Sequence, residues 1–361
     1  MLPADHGDAI LLEYGPGRRL RYRVLIDGGA ETAYRDVRER LRAIRPDRQG
    51  RRRIDLLVIS HVDGDHIEGV VKMLQDDELA LAVGDVWFND WNHLEPLVAG
   101  TAPKHLGPEQ GEFLGALLVQ QGRSWNRAFA GGTIVAPPAG RLPVRRLGGM
   151  RFTIVSPTID TLIALRQRWR SAIEAAGFEP GSREKALEQF AARRWAKAPK
   201  PSVLGDERRR KTLDHSVANG SSIAVIAEYR DRRLLLAADA HADVLRQAIE
   251  RWRDEEPTTR AGSDGRVDFD VFKLSHHGSS KNLTPQLLDV ITCPTYLVSS
   301  SGRRFRHPDV DTVKMLVDRH PLTEPPVVGF NYRSPQTEVW AHRPELVARF
   351  GDESTLSWET A

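Results

Sequence analysis

Residues 54–66 read IDLLVISHVDGDH, in which an almost continuous apolar run ends directly in four potential metal ligands. The apolar run predicts a strand buried on both faces, because an exposed face would require alternating polar residues. The four potential ligands are His61, Asp63, Asp65 and His66. Imidazole and carboxylate groups are common ligands of Zn²⁺, and a carboxylate-rich set also suits Mn²⁺. The stretch therefore predicts a metal site at the end of a buried strand; the alternative is an acidic turn with two surface histidines.

The segments around this motif favour an α/β fold. Residues 9–14 and 22–26 predict a hairpin, and 34–45 predict a helix that Pro46 ends. In the second half we expect strands at 221–229, 233–238, 268–275, 294–300, 326–331 and 336–341, and helices near 241–253, 284–291 and 309–319. In both halves strands come first in pairs and then alternate with helices. This order predicts two β-sheets packed on each other with helices outside.

The middle of the chain predicts an inserted helical region. Residues 159–197 have the pattern of two charged helices, and apolar residues recur in the first at helical spacing. These residues are Leu162, Leu165, Trp169 and Ile173. We expect one domain at 1–345, followed by a C-terminal tail at 346–361. Within the domain we expect a first half at 1–157, a helical insertion or cap at 158–213, and a second half at 214–345.

Composition narrows the class of protein. No apolar run approaches the roughly 18–20 residues of a membrane helix, and the N-terminus lacks the pattern of a secretory signal. The single cysteine, Cys293, excludes an internal disulfide and a cysteine-rich zinc site. These features favour a cytoplasmic protein with no membrane segment. The sequence predicts no oligomeric state.

The net charge of +3 does not by itself indicate a nucleic-acid partner. The arginine-rich blocks at 51–53 and 208–211 are each either a solvated loop or a rim that contacts phosphate.

Residues 60–69, SHVDGDHIEG, resemble the H-x-[HD]-x-D-H signature of metallo-β-lactamase-fold hydrolases. The aspartate at the third place is characteristic of the soluble domain of the DNA-uptake competence channel ComEC and its stand-alone relatives. Further segments are similar to that family in the same order: GDAILL (7–12), LIDGG (25–29), NGSSI (219–223), LLLAAD (234–239), KLSHHGS (273–279) and RHP (306–308). The resemblance leaves out roughly 90–145 and 158–213. It implies a metallo-β-lactamase αββα sandwich with a helical insertion between its halves.

The resemblance implies two divalent metal ions, Zn or Mn, as cofactors. His61 and Asp63 would bind the first ion, and Asp65 and His66 would bind the second.

The late motifs imply the remaining ligands. Asp239 would bridge both ions, although an aspartate at a strand end is often only a turn cap. His276 would complete the second site, and His277 would support a ligand or contact the substrate. The implied catalytic residues are Asp65, Asp239 and His277.

The third motif of the family usually supplies a histidine before the bridging aspartate. His215 is the candidate here, but it could equally be an ordinary loop residue, and Asp214 and Asn219 are the alternatives. Without His215 as a ligand, one site would be weaker and the enzyme would work with one tightly held ion. Ala238 is a second departure, since the family has glycine there, and we expect its methyl group to be tolerated.

Other polar residues are candidates for supporting contacts. Asp8 and Asp27 could hold the second ring nitrogen of a ligating histidine. His307, Asn219 and Ser279 are candidate substrate-binding residues. His307 follows a turn with three arginines, which is either simply exposed or binds a phosphate.

Together these inferences favour a metal-dependent hydrolase that uses a metal-activated hydroxide. Its substrate would be a phosphodiester, as for a nuclease acting on nucleic acid, or another phosphate ester. A hydrolase of a lactone, thioester or other small ester would use the same site, because one fold hosts many substrates. The third interpretation is a non-catalytic binding module.

Overall fold

The computed structural model describes residues 1–16, 21–94, 97, 109–175, 180–192, 213–256 and 260–359. Its strands are β1 (Ile10–Tyr14), β2 (Tyr22–Ile26), β3 (Arg52–Val58), β4 (Leu81–Trp87), β5 (Val144–Leu147), β6 (Met150–Ser156), β7 (Ala224–Tyr229), β8 (Arg232–Leu236), β9 (Val267–Asp268), β10 (Val271–Lys273), β11 (Ile291–Thr292), β12 (Thr295–Val298), β13 (Val327–Phe330) and β14 (Val347–Phe350). Its α-helices are α1 (Tyr34–Arg42), α2 (Gly64–Gln75), α3 (Trp91–Leu94), α4 (Glu109–Gln120), α5 (Ile159–Ala175), α6 (Arg183–Ala192), α7 (Val217–Gly220), α8 (Ala242–Glu255), α9 (Pro285–Leu288), α10 (Val310–Val317) and α11 (Pro335–Glu338).

Two sheets organise these strands. The first has the order β1-β2-β3-β4, in which β2, β3 and β4 run parallel. The second has the order β14-β13-β12-β10-β8-β7-β6-β5, in which the strands from β14 to β8 run parallel. Parallel strands place their carboxyl ends at one edge of a sheet, where ligands are commonly bound. The carboxyl ends of β8, β10 and β12 are therefore neighbours in the second sheet.

Side-chain alternation along the strands separates two faces of each sheet. In β3, Leu56 and Val58 join the core between the sheets, whereas Leu57 joins the core under helices α1, α2, α4 and α5. In β7, Val225 faces the core between the sheets, whereas Ile226 joins the core under α8, α9 and α10. Because successive side chains of a strand point to opposite faces, the layers are helices, sheet, sheet and helices. The predicted αββα sandwich is thus confirmed.

Helix α5 belongs to the outer helical layer of the first sheet. Leu162, Leu165, Trp169 and Ile173 are all buried in its core, as their spacing predicts. The described part of the expected insertion therefore packs on the first sheet through this stripe. The division of the chain into domains stays a prediction.

Three segments differ from the sequence-based expectations. Residues 336–341 were expected as a strand, but α11 forms instead because Ser334 caps it and Pro335 suits its first turn. The expected tail, 346–361, contains β14, which pairs with β13 at the edge of the second sheet. Strands β5 and β6 precede residue 157 yet pair into the second sheet. The predicted first half, 1–157, therefore contributes strands to both sheets.

A close backbone contact fixes the second turn of α2. A Cβ atom at Gly69 would lie 1.9 Å from the carbonyl oxygen of Gly28, a distance that no side chain tolerates. Gly28 follows β2, so this contact fastens α2 to the first sheet next to the motif residues. Among the described residues, no helix is both long enough and apolar enough to cross a membrane.

Candidate metal centre

The predicted ligands follow the carboxyl ends of three strands. His61 and Asp63 follow β3, and Asp65 and His66 belong to the first turn of α2. Asp239 follows β8 by three residues, and the pair His276 and His277 follows β10. The first sheet and the second sheet thus both contribute side chains to one place.

The Oδ2 atom of Asp239 lies at the centre of this cluster. Four imidazole Nε2 atoms surround it, at 3.5 Å for His66, 3.6 Å for His277, 3.9 Å for His276 and 4.0 Å for His61. The Asp239 carboxylate is buried, and its Oδ1 atom has no hydrogen-bond partner. A carboxylate at the centre of four imidazoles has the placement that a bridging ligand requires.

Hydrogen bonds to Nδ1 set the tautomer of the two histidines in the first motif. Nδ1 of His66 donates to Oδ2 of Asp27 at 2.8 Å. Nδ1 of His61 lies 2.9 Å from the Ser60 hydroxyl, which itself donates to Asp27 at 2.7 Å. Each Nδ1 therefore carries the proton, and the lone pair is left on Nε2. The predicted supporting role of Asp27 agrees with these contacts.

His277 is oriented in the same way. Its Nδ1 atom donates to the carbonyl oxygen of Ser299 at 3.0 Å. Its Nε2 atom lies 3.6 Å from both Asp65 Oδ2 and Asp239 Oδ2. The ring is fully buried, and Nε2 has no hydrogen-bond partner. By geometry, His277 is better placed than His276 for the last ligand of the second ion.

His276 lies at the more open side of the cluster, with 24% of its side chain exposed. Its Nδ1 atom donates to Oδ1 of Asn282 at 2.9 Å and lies 3.4 Å from Asp214 Oδ2. Asn219 and Asn282 both donate to that Asp214 oxygen, at 2.7 and 2.9 Å. Asp214, one of the alternatives to His215, therefore affects the centre indirectly, because it orients the ring of His276.

The unpartnered nitrogens test whether metal ions fit this site. Within the described part of the chain, Nε2 of His61, His66 and His277 are buried without hydrogen-bond partners. Buried polar atoms without partners are costly and call for an explanation. Potential ligand atoms of His61, His66 and Asp239 lie within 4.8 Å of one another, as do those of Asp65, His66 and His277. Asp63 adds a carboxylate oxygen 3.6 Å from His61 Nε2. The donor set fits divalent cations that accept imidazole and carboxylate.

The carboxylates determine the protonation of this cluster. Burial alone lowers the pKa of His276, but the charges of Asp239 and Asp214 outweigh it and raise that pKa to about 9. Burial likewise opposes the charged form of Asp239, yet the neighbouring histidines hold the pKa of its carboxyl well below the usual value. His276 therefore keeps a proton near neutral pH when no cation is bound, and a metal ion that bound its ring would have to displace that proton.

A buried ion pair lies beside the cluster. The ammonium group of Lys273 contacts Oδ2 of Asp8, and both side chains are about 1% exposed. The other oxygen of Asp8 is 3.4 Å from Nδ1 of His277. The sequence motif contains Lys273, but nothing in its pattern distinguishes a buried lysine from an exposed one, so sequence reasoning missed this contact.

Left-handed backbone conformations are concentrated at the same place. Ala238, His276 and His277 have φ angles of 47°, 46° and 56°. Such angles cost energy in residues other than glycine and persist where the surroundings enforce them. Ala238 stands where the family that its motif resembles has glycine, which adopts this conformation freely.

The structure does not bring every predicted residue to the centre. His215 is exposed and belongs to none of the candidate ligand groups among the described residues. Asn219 and Ser279 are buried, and Asn219 bonds to Asp214 rather than facing open space. The His307 ring lies 5.5 Å from that of His276, at the open side. As candidate substrate contacts, Asn219 and Ser279 remain predictions.

Of the two basic blocks, the one at 51–53 lies away from this site. Residues 51–53 lie at the beginning of β3, whereas the metal ligands follow its end. Arg51 pairs with Asp47, and Arg53 pairs with Asp55. This block therefore fits the solvated-loop interpretation. The block at 208–211 lies outside the described residues.

Comparison with known proteins gives weak similarities. The sequence matches no protein-family model, and no curated protein sequence is similar to it. A protein of Parabacteroides distasonis named as a metal-dependent hydrolase has a similar structure at a TM-score of 0.35 and 9% identity, over 96% of this chain and 90% of that one. The diiron β-hydroxylase CmlA of Streptomyces venezuelae has a similar structure at a TM-score of 0.37 and 14% identity, over 86% of this chain and 51% of that one. For a metallo-β-lactamase of Cronobacter sakazakii with a HARLDQ motif, the TM-score is 0.21 and the identity is 17%, over 40% of this chain and 44% of that one.

These TM-scores are all below 0.5, so the fold and the site rest on the sheets, cores and contacts of this chain itself. On those grounds the chain has the layered αββα architecture that its motifs predict, with a cluster of potential metal ligands at the edge shared by its two sheets.

Proposed function

We propose that this chain is a hydrolase that holds two divalent metal ions, Zn or Mn, and cleaves phosphodiester bonds as a nuclease does. The observation that carries the proposal is the convergence of four imidazole Nε2 atoms on Oδ2 of Asp239. Resemblance of the motifs to the soluble domain of ComEC supports the choice of a phosphodiester.

Two groups of side chains would hold the ions. His61 and Asp63 form one group, and Asp65, His66 and His277 form the other, with Asp239 between them. Ions held there would lower the pKa of water towards neutrality and take up negative charge that develops on the substrate. In this assignment His277 takes the place in the second site that the resemblance gave to His276.

The protein's own residues would orient and position the reacting groups. Asp27 fixes the ring of His66, and the carbonyl of Ser299 fixes the ring of His277, so that each Nε2 lone pair faces inwards. The burial of these rings excludes bulk water from the ligand side. His276 and His307 border the open side, where a substrate would enter.

Charge at the open side favours a phosphate ester over a neutral ester. The turn before His307 has exposed arginines at 303, 304 and 306. Guanidinium groups bind phosphate oxygens well, often through two hydrogen bonds. Arg304 already bonds to Nε2 of His6 at 3.0 Å, so Arg303 and Arg306 are the cations that a neutral lactone or thioester would leave without a phosphate to bind.

The test combines metal analysis with hydrolysis assays. Elemental analysis should find Zn or Mn bound to the purified protein, and the loaded protein should hydrolyse bis-p-nitrophenyl phosphate until a chelator is added. Asp65→Ala should abolish this activity, whereas Asp36→Ala, which removes an exposed carboxylate on α1, should not. Equal activity of Asp65→Ala and wild type would refute the proposal. A panel of small esters would identify an esterase, and a protein without bound metal or activity would be a binding module.

A further inference from the structure

An exposed cationic and aromatic loop follows the last residues of β12. The loop consists of Arg303, Arg304, Phe305 and Arg306, and we call it the RRFR loop. Phe305 is 46% exposed, so part of its ring is open to solvent. Among the described residues, no carboxylate lies within ion-pairing distance of the three guanidinium groups. The loop therefore presents positive charge that no described carboxylate compensates, next to a partly exposed aromatic ring over which the Arg304 guanidinium lies 5.1 Å from the centroid.

A series of ring contacts connects this loop to the metal centre. The Phe305 ring stacks on that of His307, with centroids 6.2 Å apart and planes 27° apart. The His307 ring lies 5.5 Å from that of His276, whose Nε2 is 3.9 Å from Asp239 Oδ2. The RRFR loop thus borders the open side of the cluster.

Contacts at both ends hold the loop in place. Before it, the backbone N–H of Ser301 donates to the Asp5 carbonyl at 2.7 Å, and the Ser301 hydroxyl donates to Oδ1 of Asp5 at 2.5 Å. After it, Nδ1 of His307 donates to Oδ1 of Asp309 at 3.1 Å. The nearby carboxylates of Asp5 and Asp309 are thus already engaged. A surface held in this way loses little conformational entropy when it binds a ligand.

We propose that the RRFR loop binds single-stranded nucleic acid, with a base stacked on Phe305 and backbone phosphates on Arg303 and Arg306. This inference rests on the proposed phosphodiesterase function and names its substrate class. An exposed aromatic ring beside cations is the usual means of binding single strands, because their bases are free to stack. In a duplex the bases are already stacked on each other, so Phe305 would gain no partner. An acidic protein would pair with the arginines but would also leave Phe305 without a partner.

The test is binding of a fluorescent single-stranded thymidine oligonucleotide by the full-length, metal-loaded protein. Fluorescence anisotropy reports affinity, and a denaturing gel checks that the probe stays intact; a parallel series contains EDTA. Phe305→Ala should weaken binding by about fivefold or more, the effect of losing one stacked base. Phe305→Tyr should bind as wild type does, because it keeps the ring. Arg303→Ala combined with Arg306→Ala should reduce the slope of log affinity against log salt by about 1.4, or about 0.7 for each lost phosphate contact.

Two variants serve as matched controls. Arg45→Ala combined with Arg48→Ala removes the same charge from exposed positions that precede β3, at the end of this strand away from its ligands. Trp358→Ala removes another exposed aromatic ring. Both controls should keep wild-type affinity and salt slope.

Three results would overturn the inference: wild-type affinity in Phe305→Ala, equal affinity for a duplex, or equal displacement of the probe by polyglutamate. Hydrolysis of bis-p-nitrophenyl phosphate separates the two proposals, because this small substrate does not need the loop. Binding without any hydrolysis would refute the proposed function alone. Hydrolysis with unchanged binding in Phe305→Ala would refute the role of the loop alone.

Discussion

The carboxylate of Asp27 accepts a hydrogen bond from Nδ1 of His66 at 2.8 Å, and both side chains are fully buried. Carboxylates in this position fix the ring of a metal-binding histidine and increase its basicity. We expect Asp27→Asn to lower metal affinity about 10- to 100-fold, measured by competition with a chromogenic chelator. Asp55→Asn alters another buried carboxylate, near the other end of β3, and should leave that affinity unchanged. Equal affinities for Asp27→Asn and wild type would contradict this assignment.

The two adjacent histidines should differ in their effect on metal content. His277 is buried and its Nε2 atom lies 3.6 Å from two carboxylates, whereas His276 is partly exposed and its Nε2 atom lies 3.9 Å from one. We therefore expect His277→Ala to lose the second ion and His276→Ala to retain both under the same conditions. Metal-to-protein ratios from elemental analysis after dialysis decide the matter. The opposite pattern would restore the role that sequence resemblance gave to His276.

The ion pair between Lys273 and Asp8 should be important for stability. Removing one partner of a buried pair leaves an uncompensated charge and commonly costs about 3–5 kcal/mol. Lys273→Met should lower the free energy of unfolding by about that amount, measured by urea denaturation of the metal-free protein. The double variant Lys273→Met/Asp8→Asn should recover part of the loss, because it removes both charges. A double variant no more stable than Lys273→Met would show that the charge is not the cause.

The metal-free protein should become less stable as pH rises through the range in which His276 titrates. The folded-state pKa of His276 is about 9, above its ordinary value of 6.5. The proton on His276 therefore contributes fully to the free energy of unfolding below about pH 6.5, and this contribution is lost by about pH 9. Burial lowers the pKa of the Met1 amino group to about 6. Titration of this group therefore makes the folded state more stable as pH rises from 6 to 8, opposite to the effect of His276.

The measurement is thus the difference in free energy of unfolding between wild type and His276→Gln, obtained by urea denaturation with EDTA present. This difference should decrease steadily from pH 6.5 to 9. A difference that stays constant or increases would show that the carboxylates do not hold a proton on His276.

Much of the fold could be predicted from local patterns. The run that ends at Ser60 forms β3, and the helical stripe from Leu162 to Ile173 is buried as its spacing indicates. These features depend on periodicity within one segment. The prediction of a strand at 336–341 is wrong. The short apolar pattern fits a strand, but the cap at Ser334 and the proline at 335 favour the helix that forms. The pairing of β5 and β6 with the second sheet depends on contacts between distant segments, which periodicity does not encode.

The site could be predicted in composition but not in detail. The four histidines around Asp239 were all candidates from the sequence, because strand ends followed by histidine and aspartate are a strong pattern, whereas Asn282, which bonds to the Asp239 carbonyl, was not. Which of His276 and His277 is the more deeply buried depends on two consecutive left-handed residues, a backbone feature that the sequence does not display. The contact of Lys273 with Asp8 joins residues 265 positions apart, so no local pattern could indicate it.

The ligands of the candidate centre come from both sheets, with His61 after β3 and Asp239 after β8. A cation held between them would tie the two halves of the sandwich together as a crosslink does. Occupancy would then protect the whole molecule against thermal unfolding, by an amount that grows with the logarithm of free cation concentration. Melting curves recorded over a series of cations would rank their affinities even before any substrate is known.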